Sequence, residues 1–228
     1  LELVNGEIFN WINSDDYLGQ SSLELIANSF NNFHIVAGRC RHFWEEHSEE
    51  KVFPNVNLKI SKMIYHSSIK YSKKIRPYRY HQPAVWLKTK LLEQCGGLDE
   101  NLHYWFDKDM MLRYLTLYPK VNYTDKILAH YRRYEQSKTE QSLTGINPFV
   151  QEQSKSIKKL ITLDKFSLTH SYCNLFLRQQ KWIQFVNSMR ESSHLSTLQK
   201  RLKIIQAIGH DPVIRLSRFT LGAIRKCH

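Results

Sequence analysis

The stretch FNWINSDDYLGQSSLELI, residues 9–26, runs from an apolar segment into two adjacent carboxylates, Asp15 and Asp16, and out into a helical pattern. Ile8, Phe9, Trp11 and Ile12 predict a buried strand over 7–13. Ser21-Ser22-Leu23-Glu24 fits a capping box, with Ser21 as N-cap and Glu24 reaching back to it. Leu23, Ile26, Ala27 and Phe30 then share one helical face. Strand, acidic turn, helix is the order of an α/β edge, where the polar groups of a site gather beyond strand C-termini. Adjacent carboxylates repel, which costs stability unless a metal, a basic side chain or water lies between them.

Working outward, His34–Cys40 predicts a second strand, and 45–80 a polar, basic loop with one helix around Leu58–Tyr65. Pro83–Trp86 predicts a strand and Thr89–Cys95 a helix, stopped by Gly96-Gly97, which can turn left-handed. A helix is predicted over Asp107–Tyr118, with Met110, Met111, Leu115 and Leu117 apolar and Pro119 ending it. Short strands are predicted at Val121–Thr124 and Ile127–Tyr131. From about 149 the pattern is helical, with Leu175, Trp182, Phe185, Val186 and Met189 as a core-facing stripe. The breaker-rich SLTGINP at 142–148 places a boundary there, so that 1–144 and 145–228 are expected to be separate regions.

Three clusters carry candidate chemistry. Asn13-Ser14-Asp15-Asp16 offers hard oxygen ligands suited to a divalent cation, or equally a helix-entry turn with aspartate caps. In GGLDENLHYWFDKDMMLRY, residues 96–114, Asp107 and Asp109 open a helix, where the dipole favours carboxylates. Asp107 also follows Tyr104, Trp105 and Phe106; aromatic faces stack on sugar rings, and a shielded carboxylate is a better proton acceptor. In ILAHYRRYEQSKT, residues 127–139, Arg132 and Arg133 end a strand; arginine pairs with phosphate oxygens in a bidentate fork, although a solvated basic turn would look the same.

The order of these segments, with HQPAVWLKTKLLEQCGGLDE (81–100) between the first and second, resembles the second half of a family 2 glycosyltransferase of the GT-A fold, over about residues 1–140. The resemblance implies an α/β, GT-A domain followed by a helical C-terminal region. It implies a divalent cation, Mn or Mg, on Asp15 and Asp16, with Asp107 as catalytic base. Donor or acceptor contacts would come from Asn13, Asp15, Gln82, Trp105, Asp109, Arg113, Arg132 and Tyr134, with Asp109 and Arg113 shaping the site and bracing the helix. The implied reaction moves a sugar from a nucleotide-sugar donor to a saccharide or lipid-linked acceptor, with inversion. Where the family's closing motif ends in histidine this chain has Tyr134, a poorer metal ligand, so only phosphate or pocket contact carries over to Arg132 and Tyr134. The family's opening half has no counterpart here, which makes the chain a fragment or truncated by expectation, with weak donor binding on its own.

Charge adds a second theme. Of the net +12, residues 145–228 carry +10, from 14 Lys/Arg against 4 Asp/Glu, and residues 1–144 carry +2. Residues 212–226, PVIRLSRFTLGAIRK, predict one amphipathic helix, with Val213, Ile214, Leu216, Phe219, Leu221 and Ile224 opposite Arg215, Arg218, Arg225 and Lys226. That pattern suits an anionic membrane surface, and no apolar run is long enough to span one. Cys40, Cys95, Cys173 and Cys227 show no knuckle or redox spacing, which points to a reduced, cytoplasmic setting. The competing readings are a non-catalytic remnant, a carboxylate-pair hydrolase and a basic nucleic-acid binder; the last lacks any recognisable binding motif.

Overall fold

The computed structural model describes residues 4–44, 49–55, 58–65, 80–134, 148–163, 168–215 and 218–225. It is mixed α/β. The chain divides into two compact units, one of residues 1–63 and 78–156, the other of 64–77 and 157–228. The division falls inside a helix; most of the breaker-rich stretch at 142–148 lies outside the described residues.

The first unit is built on a sheet whose described strands are β1 (Ile8–Phe9), β2 (Tyr17–Leu18), β3 (Ile35–Trp44), β4 (Glu49–Pro54), β5 (Val85–Lys88) and β6 (Val121–Arg133). Their order is β1-β5-β3-β6-β2, with β4 continuing along the side of β3 that β5 leaves. Among the described strands, only β3 and β6 run parallel. The predicted strand at 7–13 is shorter than expected, since only Ile8 and Phe9 find partners, Lys88 and Leu87. β4 lies where a loop was expected. Its side chains are almost all exposed, so it lacks the apolar alternation that betrays a strand.

β6 is one strand rather than the two expected. Between Ala37↔Tyr123 and Arg39↔Ile127 the register shifts, so β6 takes up extra residues there without leaving the sheet. Helix α1 (Ser22–Ser29) packs Ile26 and Phe30 against Val36, Cys40, Ala84, Leu128 and Ala129. Fully burying such side chains contributes about 1.5–3 kcal/mol each. The expected capping box does not form: Ser21 sits left-handed at φ 57° and its side chain makes no capping bond. Leu23, expected on the inner face, is exposed, and Ser22 is buried instead, its hydroxyl donating to Ile127 O at 3.4 Å.

The segment before β5 is a 3₁₀ turn, Gln82–Ala84. Helix α2 covers Ile60–Tyr65 and α3 Thr89–Gln94, and Gly96 and Gly97 follow α3 with φ of 82° and 63°, as the glycine pair predicted. Helix α4 (Phe106–Leu115) starts one residue early and ends before Thr116, leaving Leu117 exposed.

The second unit is helical in its described residues. Helix α5 (Pro148–Leu163) crosses into it, followed by α6 (Leu168–Glu191), α7 (Thr197–Ile208), α8 (Pro212–Arg215) and α9 (Arg218–Arg225). Ser196 and Gln199 form a reciprocal capping box on α7. Trp182, Val186, Ile204 and Ala223 make the core, and Trp182 Nε1 donates to Thr220 Oγ1 at 2.9 Å. Of the single amphipathic helix expected over 212–226, Pro212–Arg215 and Arg218–Arg225 are helical, while 216–217 and 226–228 lie outside the described residues. Thr220, on neither predicted face, is fully buried and donates to Arg215 O at 2.5 Å, while Leu221, predicted apolar-side, is exposed. No helix among the described residues is long and apolar enough to cross a membrane.

Candidate functional site

Strand pairing delivers the acidic turn to its neighbours. β2 runs antiparallel to β6 with Tyr17 opposite His130, so each step back along β2 meets a step forward along β6. That register sets Asp16 across from Tyr131, and Asp16 Oδ1 accepts the backbone N–H of the next residue, Arg132, at 3.1 Å. One residue further out, Asp15 lies near Tyr134, close enough for its charge to act on the phenol. The turn is closed locally by Asp16 N–H donating to Asn13 O at 3.1 Å and by the Asn13 amide donating to Asp16 Oδ2 at 3.0 Å.

The same logic acts at the other end of the segment. β1 is antiparallel to β5, so Asn10, just past β1, faces the 3₁₀ turn before β5. Its amide donates to Pro83 O at 2.9 Å, and its oxygen accepts from Gln82 Nε2 at 3.4 Å. Trp11 packs edge-on against Phe106, the first residue of α4, with ring centroids 5.4 Å apart. Residues 10–16 thus touch the Gln82 turn, the start of the Asp107 helix and the Arg132–Tyr134 strand end.

Electrostatics single out the same groups. Burial pushes the Asp16 carboxyl up to about 6; the Arg132 N–H and the Asn13 amide pull it down, while the Asp15 charge adds to the rise. The Tyr134 phenol is raised chiefly by the nearby Asp15 charge. Asp107 is half-buried, and desolvation raises its carboxyl against the opposing charge of Lys108 and the N–H groups of Lys108 and Asp107.

Trp105, Asp109 and Arg113, also named from the sequence, are engaged in contacts within the protein itself. Trp105 is 1% exposed, with Lys108 Nζ 4.4 Å from its ring centroid, so its face is closed to a sugar. Trp11, at 38% exposed, is the accessible indole beside Phe106. Asp109 is 2% exposed and accepts from Ser156 Oγ at 2.5 Å and from Arg113 Nε at 2.9 Å. Arg113 also donates to Gly97 O at 2.6 Å and to Cys95 O, which staples α4 to the glycine turn. Asp109 and Arg113 brace the helix that carries Asp107.

Two features escaped sequence reasoning. The backbone N–H groups of His103, Tyr104 and Trp105 all donate to the Glu152 carboxylate, at 2.7–3.1 Å. Trp105, the N-cap of α4, has no side-chain cap of its own, so a glutamate 46 residues after Phe106 supplies one. Burial pulls the Glu152 carboxyl up, but the three N–H donors more than offset this and leave it below its usual range.

The second feature is a ligand set on the sheet. Cys40 Sγ and one ring nitrogen each of His42 and His81 lie within 4.8 Å of one another. Cys40 and His42 are two apart on β3 and so share a face; His81 comes from the chain just before the 3₁₀ turn. His42 Nε2 and His81 Nδ1 face each other at 2.9 Å. A Cys-x-His pair on a strand was the available signal, but its third member stands 39 residues beyond His42 and only the fold joins them. In comparison with known proteins, the chain matches no protein-family model, and no curated protein is significantly similar to it.

Proposed function

We propose that the first unit is the acidic-turn half of a GT-A glycosyltransferase site, which moves a sugar from a nucleotide-sugar donor to an acceptor hydroxyl with inversion. The observation that carries this reading is the convergence on residues 10–16. Gln82, Phe106 beside Asp107, Arg132 and Tyr134 come from three segments spread over more than fifty residues, and each contacts that one turn.

Asp15 and Asp16 present carboxylate oxygens beside the Asn13 amide, a donor set that fits a hard divalent cation such as Mn²⁺ or Mg²⁺. Such a cation, when bound, neutralises diphosphate charge and improves the leaving group. The raised Asp16 carboxyl is a carboxylate without full compensation, and a positive ligand would supply it. Arg132 lies beside the pair to meet phosphate oxygens. Trp11 offers an accessible ring for a sugar face. Asp107 accepts the proton of the acceptor hydroxyl; its desolvated carboxylate is a stronger base than one in water, and such help is worth roughly 10²–10⁴-fold in rate.

The acceptor class is a saccharide or a lipid-linked saccharide. The basic helical region would then rest on an anionic membrane face, where exposed Leu221 and Arg225 lie on α9. Flotation with phosphatidylserine liposomes, compared with phosphatidylcholine alone, tests that placement; equal recovery removes it.

The test of the site is Mn²⁺ binding followed by electron paramagnetic resonance, with and without a panel of uridine and guanosine diphosphate sugars. Binding is expected, and Asp15→Asn combined with Asp16→Asn should abolish it. Absence of Mn²⁺ binding, or binding unchanged in that double variant, overturns the reading.

A further inference from the structure

We propose that Cys40, His42 and His81 hold a zinc-class transition-metal ion that ties the segment leading into the 82–84 turn to strand β3. This inference stands apart from the transferase reading, which concerns a hard cation on oxygen ligands; a thiol with two imidazoles is a soft and borderline donor set that selects zinc or cobalt over magnesium or manganese.

The ligands are held in place before any ion arrives. Cys40 is fully buried and His42 is 5% exposed, while His81 is only partly buried. The His42 ring is flanked by Phe53 and Tyr131, with centroids at 4.7 and 4.9 Å. Buried Asn55 fixes the backbone of His81: its oxygen accepts the His81 N–H at 2.7 Å, and its amide donates to His81 O at 3.2 Å and to Gly38 O on β3 at 2.9 Å. Rigid outer contacts of this kind orient ligating imidazoles.

The two imidazoles fit with a small adjustment, and the Cys40 Sγ, within 4.8 Å of both ring nitrogens, would close on the ion as it binds. Across a tetrahedral zinc with Zn–N bonds of about 2.0–2.1 Å, two nitrogens stand roughly 3.3 Å apart. The facing nitrogens of His42 and His81, at 2.9 Å, would part by a few tenths of an ångström as the ion takes the place of the proton they share. Burial pushes the Cys40 thiol up to about 12, with the nearby Asp16 charge adding to it, so binding displaces a thiol proton to the solvent and forms a metal–thiolate bond. The Asp16 charge that disfavours a bare thiolate is a favourable field for a cation. Three protein ligands leave a fourth position to water.

The experiment adds Co²⁺ to the full chain freed of metal by chelator and dialysis. One equivalent should give a thiolate-to-cobalt charge-transfer band in the near ultraviolet, with visible bands of tetrahedral cobalt. Zn²⁺ should displace it and excess Mg²⁺ should not. Cys40→Ser should lose the band. Cys95→Ser, Cys173→Ser and the Asp15→Asn variant should keep it, and His81→Gln should weaken Zn²⁺ binding at least tenfold. A wild-type chain with no charge-transfer band overturns the proposal without recourse to any variant and leaves His42 and His81 as a hydrogen-bonded pair. A band that survives Cys40→Ser overturns it equally.

Discussion

Two groups of carboxylates in the first unit behave in opposite ways. Asp109 and Glu152 are buried and saturated: one meets Arg113 and Ser156, the other three backbone N–H groups. Asp15 and Asp16 share a turn, and although Asp16 accepts from Arg132 and Asn13, burial and its neighbour still raise its carboxyl to about 6. The same side-chain chemistry therefore serves two ends. A carboxylate whose donors are complete stabilises the fold and has nothing left for a ligand. One whose donors are incomplete costs stability and is ready to take a cation. By this criterion the acidic turn suits a ligand and the start of α4 suits a scaffold, as the proposed function requires.

The difference can be broken most forcefully at Asp109. Asp109→Ala leaves the Arg113 guanidinium without its carboxylate beside the glycine turn, and should destabilise the chain by about 3–5 kcal/mol, read from urea unfolding followed by tryptophan fluorescence. A change under about 1 kcal/mol would remove Asp109 from the scaffold. Glu152→Gln keeps an acceptor oxygen but loses the charge facing three N–H groups, and should cost about 1–3 kcal/mol. Hydrogen exchange at His103, Tyr104 and Trp105 should rise in the same variant.

Acidity sharpens the contrast because the two groups carry opposite signs. Glu152 has a carboxyl lowered on folding, so its contribution is present above its ordinary value of 4.5 and is lost as pH falls below it. Asp16 has a carboxyl raised from 3.8 to about 6, so the folded state binds its proton more tightly and stability declines as pH rises through that window. Stability measured from pH 3 to 8 should lose the low-pH limb in Glu152→Gln and the decline between about pH 4 and 6 in Asp16→Asn. Above pH 6, Asp16→Asn should be neutral or stabilising by less than about 1 kcal/mol, since the group is partly solvated. A clear loss of stability would place Asp16 with the scaffold instead.

A similarly small stability effect belongs to Trp11. Its ring is 38% exposed and makes an edge contact with Phe106, so Trp11→Ala should cost only about 0.5–1.5 kcal/mol. Under the proposed function it should weaken donor or acceptor binding far more than that stability change suggests.

Part of this was legible without coordinates. The α/β character, the Gly96-Gly97 stop and the helical C-terminal region follow from periodicity and from backbone freedom, which are local properties. The apolar clusters around Ile26, Phe30, Met110 and Met111 likewise follow from spacing. β4 was invisible because pairing with β3, not burial, makes it a strand. The Ser21 box looked right by residue type, yet the chain enters α1 with Ser21 left-handed, where Gly19 packs its backbone against β6 and its N–H donates to Leu128 O.

The sequence by itself determined which side chains could do chemistry: an acidic turn, an aspartate after an aromatic run, an arginine-rich strand end and a basic tail. Only the tertiary structure decided which of them meet. Antiparallel pairing of β2 with β6 brings Asp15 and Asp16 to Arg132 and Tyr134, and packing closes Trp105 while leaving Trp11 open. The Cys40–His42–His81 group and the Glu152 cap likewise exist only through contacts between distant segments. Such contacts are set by strand register and by burial of neighbouring elements, and no local pattern of residues encodes them.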